Sequence, residues 1–210
     1  MNKLFSNCIK ATVSACLFGI TLSCAEQKKE EEKVSVGDGT LKKQELSVLG
    51  NENQFDLIGK QWMLITSGDT SKYNTMTASW GGFGHLWDKE VAFIFVRPER
   101  YTHEFIEAND RLTLSFFDEK YRQSLQICGT KSGRDGDKVK EAGLTPISLE
   151  SNTTTFDEAR MVLDCRKLFK TEMTEAAFLD KEVRERYYNP QPGGGYHTIY
   201  VVEIENVYVK

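Results

Sequence analysis

Six short runs rich in β-branched and aromatic residues recur along the chain: Trp62–Ser67, Met76–Trp80, Val91–Val96, Arg111–Phe117, Met161–Phe169 and Thr198–Val209. Such side chains suit a pleated, half-buried surface, so the recurrence predicts a fold made mainly of strands. Leu112, Leu114 and Phe116 alternate with polar residues and are expected on one face. Ile199, Val201, Glu203 and Ile204 continue that habit in the last run, and a change of phase near Asn206 predicts a bulge or bend.

Helical signals are few and short. Thr102 is placed to cap His103–Ala108, and Asp118 to cap Glu119–Cys128, with Tyr121, Leu125 and Cys128 on one face and Gly129 as the stop. Asp137–Ala142 ends at Gly143, and a fourth helix is expected from about Asp180 to Tyr188. None is interleaved with strands regularly enough for a doubly wound parallel sheet. The expectation is a mainly β fold, a Greek-key β-barrel with a few short helices plugging its ends.

The N-terminus reads differently. Lys3 and Lys10 precede a mostly apolar stretch, Ala11 to Leu22, that is short for a membrane span of about 20 residues. Ser23-Cys24 then meets the polar Ala25-Glu26-Gln27-Lys28-Lys29. That layout fits a secretory signal and resembles a lipoprotein signal over residues 1–23, cut just before a lipidated Cys24. Thr21 stands where Leu is usual in such signals, and an ordinary signal with an incidental Cys24 is the alternative. Acyl chains would hold the protein to a membrane, at about 0.8 kcal/mol per buried CH₂. Residues 24–45, with Lys28-Lys29-Glu30-Glu31-Glu32-Lys33 and Gly37-Asp38-Gly39, read as a flexible tether to a single domain over residues 46–210. The expected location is a bacterial cell envelope, with the domain periplasm-facing or surface-exposed.

The whole chain carries 27 basic and 31 acidic residues; without residues 1–23 the balance is 25 to 31. No basic stripe suits nucleic acid. Cys128 and Cys165 fit no metal or redox spacing and are expected as two separately buried thiols, a bridge between them being the alternative. His85, His103 and His197 are too scattered for a metal site.

Four segments could carry chemistry. Asn74-Thr75-Met76-Thr77 with Ser79 offers hydroxyls, an amide and backbone donors beside an apolar strand, which suits the edge of a planar ring or else a polar strand start. Arg97-Pro98-Glu99-Arg100-Tyr101-Thr102 brings arginines to a helix start, a pattern for a phosphate or for a strand-to-helix turn with surface arginines. Cys128-Gly-Thr-Lys-Ser-Gly-Arg-Asp-Gly-Asp-Lys138 lacks P-loop spacing, but it can shape a nest for an anion with Ser132 and Lys138, or be only a turn. Trp80-Gly-Gly-Phe-Gly-His-Leu-Trp87 reads as a hairpin connection whose rings could cover a ligand or pack between subunits.

Taken in order, the segments Asn74–Trp80, Leu86-Trp87, Phe95–Thr102, Phe105-Ile106, Leu112–Phe117, Cys128-Gly129, Ser132–Asp135, Gly143–Pro146, Glu158–Arg160, Cys165–Lys167 and Tyr196-His197 resemble the flavin reductase-like proteins of the FMN-binding split-barrel superfamily, with the flavoredoxin-type branch nearest. The resemblance covers roughly Leu57 to Lys210. It implies a homodimeric split β-barrel with FMN at the subunit interface. Asn74, Thr75, Met76, Thr77 and Ser79 would approach the ring edge. Arg97, Arg100, Tyr101 and Thr102 would lie by the phosphate and ribityl chain, with Ser132, Gly133 and Lys138 as further contacts. Two features depart from the family: the signal and tether, and the glycine-rich Pro190–Tyr196 loop.

In that family the flavin carries the chemistry, so no catalytic side chain is assigned, and NADH or NADPH is the possible electron donor. Nicotinamides are scarce outside the cytoplasm. An envelope-anchored FMN electron carrier that does not use them is therefore a second reading, and a flavin-free ligand-binding lipoprotein a third.

Overall fold

The last strand, twelve residues long, organises the sheet. The computed structural model describes residues 41–188 and 195–210, together with the backbone of residues 35–36. The signal, Cys24, most of the tether and Pro190–Gly194 lie outside the described residues. In chain order the elements are β1 (Ser35–Val36), β2 (Leu41–Gln44), α1 (Gln54–Asp56, continuing into a π-helical turn over Leu57–Gln61), β3 (Met63–Asp69), β4 (Lys72–Ala78), β5 (Gly81–Leu86) and β6 (Lys89–Val96). There follow α2 (Tyr101–Ala108), β7 (Arg111–Phe116), α3 (Arg122–Thr130), α4 (Lys138–Glu141), β8 (Pro146–Ser148), β9 (Thr154–Phe156), β10 (Met161–Glu172), α5 (Lys181–Tyr188) and β11 (Thr198–Val209).

All pairings are antiparallel. One edge of β11 pairs with β10 along its length; the other pairs with β6 over Thr198–Glu203 and with β2 over Val207–Val209. The path continues β10-β7-β3-β4, and β5 pairs with β6. The result is a nine-stranded split β-barrel sheet, with β8-β9 as a separate ribbon. Leu41 is fully buried, so the sheet takes in β2, which composition had assigned to the tether. Charged neighbours mask a single anchoring leucine from any average over a window.

The phase change in β11 is a register shift: Asp164 faces Asn206 while Cys165 faces Ile204, leaving Glu205 as the extra residue. The core face of β11 is Tyr200, Val202, Ile204 and then Val207, rather than the face carrying Ile199 and Val201. Tyr200 can sit there because its hydroxyl donates to Glu107 Oε1 at 2.6 Å. On β7, Leu112, Leu114 and Phe116 do share the main core. The opposite face is buried as well: Thr113 Oγ1 donates to the Thr154 carbonyl at 2.7 Å, and Ser115 Oγ pairs with Thr155 Oγ1 at 2.8 Å. The β8-β9 ribbon thus covers a layer of paired hydroxyls.

Gly81–Leu86, read as a connection, is strand β5. It turns into β6 through Trp87 and Asp88, both at φ +55, as a two-residue hairpin turn requires. At the β3–β4 turn Gly68 has φ +106, and a Cβ there would meet the Lys72 carbonyl oxygen at 2.2 Å. Cys128 and Cys165 are separate buried thiols.

Candidate functional site

Two adjoining cavities open beside the end of β4, and both touch Met76 and Arg100. The larger, about 230 Å³, is lined by Met76, Thr77, Ala78, Ser79, Trp80, Phe95, Arg97, Arg100 and His197. The smaller, about 100 Å³, is lined by Met76, Glu99, Arg100, Tyr101, Thr102, Thr130, Lys131, Ser132 and Lys138. Nine of the twelve residues expected from sequence therefore line this pair of cavities.

The small cavity is electropositive. Lys138 is only 6% exposed, and its Nζ donates to the carbonyls of Cys128 at 3.2 Å and Lys131 at 3.1 Å. An ammonium has three N–H donors, so one remains. Burial brings its pKa down to about 8, against some help from Cys128, and the Arg100 charge lowers it further. Among the described residues no carboxylate forms an ion pair with it. Arg100 Nη2 donates to the Gly129 carbonyl at 2.6 Å, and burial, then the neighbouring Arg97 charge, lowers its pKa too. Arg100 is also the residue before α2, whose N-terminus has no side-chain cap. A buried ammonium, a half-buried guanidinium, an uncapped helix start and the hydroxyls of Thr102 and Ser132 converge on one small space. Glu99 is the sole carboxylate among the lining residues, and its Oε1 accepts from the Gly195 N–H.

Thr102 lies inside α2 and does not cap it. Its Oγ1 accepts from Asn74 Nδ2 at 2.8 Å, so the hydroxyl is oriented by β4 instead. Asn74 is buried behind the cavity rather than on its wall. A Cβ on Gly133 would lie 2.1 Å from Asn74 Oδ1, so only glycine lets the Ser132 loop close on β4. Thr75 faces away from the cavities: its Oγ1 pairs with Thr66 Oγ1 at 2.8 Å in the buried polar layer. Asn74, Thr75 and Gly133 thus support the site without lining it. Thr77 donates its hydroxyl to the Leu125 carbonyl and packs under Gly129, which ties α3 to β4.

The larger cavity combines flat rings with donors and has no carboxylate on its wall. Arg97 Nη2 donates to the Tyr187 carbonyl at 2.7 Å, and the guanidinium lies 5.1 Å from the Tyr188 ring centre. His197, 7% exposed, was not assigned to the site from sequence, and neither was Phe95, while Trp80 was read as one of the rings that could cover a ligand or pack between subunits. His197 lies one residue before Thr198, which pairs with Val96, so the β6–β11 register brings it to Arg97. Its place in the Tyr196-His197 segment of the resemblance was the one sequence signal for it; the pairing supplied the position. Burial, and secondarily Arg97, holds the imidazole down to about 4, so it is neutral at physiological pH. The Trp80 ring is 5.3 Å from the imidazole.

Ser79 and Trp80 also border an open, mostly apolar hollow of about 850 Å³ lined by Phe55, Ile58, Gly81, Gly82 and Phe83, in which Phe55 is 89% exposed.

This donor set fits a flat ligand with a phosphate, which is where comparison with known proteins becomes informative. No curated protein matches the chain. Among solved structures, flavoredoxin from Methanosarcina acetivorans is 20% identical, with a TM-score of 0.55 over 71% of this chain and 68% of that one. Flavoredoxin of Desulfovibrio vulgaris is also 20% identical, with a TM-score of 0.54 over 71% and 69%. An FMN-binding domain of a flavin reductases-like enzyme from Shewanella baltica is 13% identical, with a TM-score of 0.57 over 84% and 78%. At these identities the structures show a shared fold. A family model for the flavin reductase like domain matches residues 55–210, and the chain belongs to that family.

Proposed function

We propose that the protein binds FMN, with the phosphate between Arg100 and Lys138 and the ring in the larger cavity, and acts as a flavin reductase-type oxidoreductase. The observation that carries this reading is Lys138: a buried ammonium held by carbonyls, beside Arg100 and an uncapped helix start, is complemented by a dianionic phosphate. Bound FMN would supply the hydride and electron transfer. The chain's part is to bind and orient. Thr102, fixed by Asn74, and Ser132 offer hydroxyls to the phosphate or its linker. Trp80 and Phe95 supply apolar surface for a ring, and Arg97 and His197 supply positive charge or donors where a reduced ring gathers electron density.

Electrons would come from NADH or NADPH, by analogy with relatives such as the NADH:FAD oxidoreductase of Streptomyces globisporus. The apolar hollow around Phe55 is proposed as the contact for a second copy of the chain, giving a homodimer. The signal-like segment ending at Cys24 supports a second reading, an FMN electron carrier tethered in the envelope that takes electrons from a partner there instead of a nicotinamide.

An anaerobic visible spectrum of residues 25–210 loaded with FMN separates these. Fast bleaching by NADH or NADPH supports the reductase; bleaching only by dithionite supports the carrier; failure to bind FMN overturns both. Affinity for FMN, unlike that for riboflavin, is expected to fall as pH rises past about 8, because Lys138 must then take up a proton to meet the phosphate.

A further inference from the structure

The segment around α5 reaches two donors on the wall of the larger cavity. Tyr187 presents its carbonyl to Arg97, and Tyr188 presents its ring to Arg97 and its hydroxyl to His197. Tyr188 Oη lies 2.7 Å from His197 Nδ1 and 3.6 Å from Met173 Sδ. Burial raises the Tyr188 pKa against the pull of Arg97, so the phenol keeps its proton. That one proton can go to a nitrogen at 2.7 Å or to a weakly accepting thioether, and the nitrogen is much the better acceptor. A neutral imidazole that accepts at Nδ1 carries its own proton on Nε2. His197 lines the cavity, and among the described residues nothing bonds to Nε2.

We propose that His197, held in its Nε2–H tautomer by Tyr188, donates a hydrogen bond from Nε2 to the acceptor edge of the flavin ring, and that Tyr188 is its positioning residue. This rests on the FMN reading above. A neutral donor there favours the ring state with more electron density, so it stabilises reduced FMN more than oxidised FMN. The geometry makes the α5 segment part of the electronic environment of the cofactor as well as a cover. A hydroxyl in position 188 specifies which imidazole nitrogen faces the ligand. Tyr187 and Tyr188 are adjacent, so the same turn that sets the tautomer also holds Arg97.

The test is the midpoint potential of bound FMN, measured with the affinities for oxidised and reduced FMN, in wild type, Tyr188→Phe, His197→Ala and His197→Gln. Wild-type protein that binds no FMN overturns the cofactor reading and this inference with it. If FMN binds, His197→Ala is expected to weaken reduced FMN about tenfold more than oxidised FMN, which lowers a two-electron potential by about 30 mV. His197→Gln, whose amide N–H can replace the donor, should recover most of the loss, and Tyr188→Phe should show a smaller shift in the same direction. Equal weakening of both redox forms, or no potential change in Tyr188→Phe and His197→Ala, would mean that the pair only fastens α5 to the barrel. The inference would then fall while the FMN reading stood.

Discussion

The two cavities meet at Arg100 and Met76 but are built in different ways. The wall of the smaller cavity, the proposed phosphate side, is anchored from within the domain: Lys138 to the carbonyls around the end of α3, Thr102 to Asn74 on β4, and Gly133 against that same asparagine. On the ring side, Arg97 and His197 are held by the C-terminal turn of α5. None of the residues of α5 is buried, and the neighbouring Leu179 is 99% exposed. The first region has its charges fixed by the barrel; the second has its donors fixed by an added segment with little core of its own. Under the proposed FMN reading, such a division lets the phosphate anchor stay constant while the ring-facing side can be altered at small cost to the fold.

The largest expected effect tests the ring side. His197 titrates near 4 in the folded protein and near 6.5 when unfolded, so its contribution to stability is complete above pH 6.5 and is lost as pH falls through 4. The loss should total roughly 3 kcal/mol, and urea melts across that range should show a flatter acid limb in His197→Asn. On the phosphate side, Arg100→Ala is expected to weaken FMN binding about a hundredfold while riboflavin changes little, since charge-assisted hydrogen bonds contribute about 1.5–3 kcal/mol. Titrating flavin fluorescence with each ligand checks it; equal losses for FMN and riboflavin would remove the phosphate assignment. Gly133→Ala should cost about 1–3 kcal/mol in chemical denaturation, because its Cβ cannot coexist with Asn74 Oδ1 as placed. At the small end, Leu179→Ser should leave stability within about 0.5 kcal/mol, as expected for an exposed side chain on α5's approach. A loss well beyond that would show that α5 is as firmly built as the barrel and would dissolve the contrast.

Features decided within a few neighbouring residues were legible in the chain. The alternation of Leu112, Leu114 and Phe116 gave their shared core face, and the phase change near Asn206 marked the bulge at Glu205. The helix expected from Asp137 forms as α4, with the Asp137 side chain accepting from the Lys140 N–H, whereas Asp118, expected as a cap, makes no side-chain cap bond. Thr102 misled because a hydroxyl at a helix start has two possible partners, and the buried Asn74 amide, nearly thirty residues away, took it. Thr75 misled for a related reason. A hydroxyl-rich strand looks like a ligand edge until β3 supplies partners for its other face, here the Thr66 hydroxyl and the Ile65 carbonyl.

By itself, then, the sequence determined the six strands richest in β-branched and aromatic residues, where the basic and hydroxyl residues of the small cavity stand, and the family to which their order belongs, because these depend on periodicity and on short motifs. The tertiary structure alone decided that Lys138 loses its water and has no acidic partner among the described residues, that β2 joins the sheet, and that His197 and Tyr188 meet Arg97. Each of those outcomes depends on the register between strands or on burial by distant segments. Both are settled by the packing of the whole core, which local pattern does not encode.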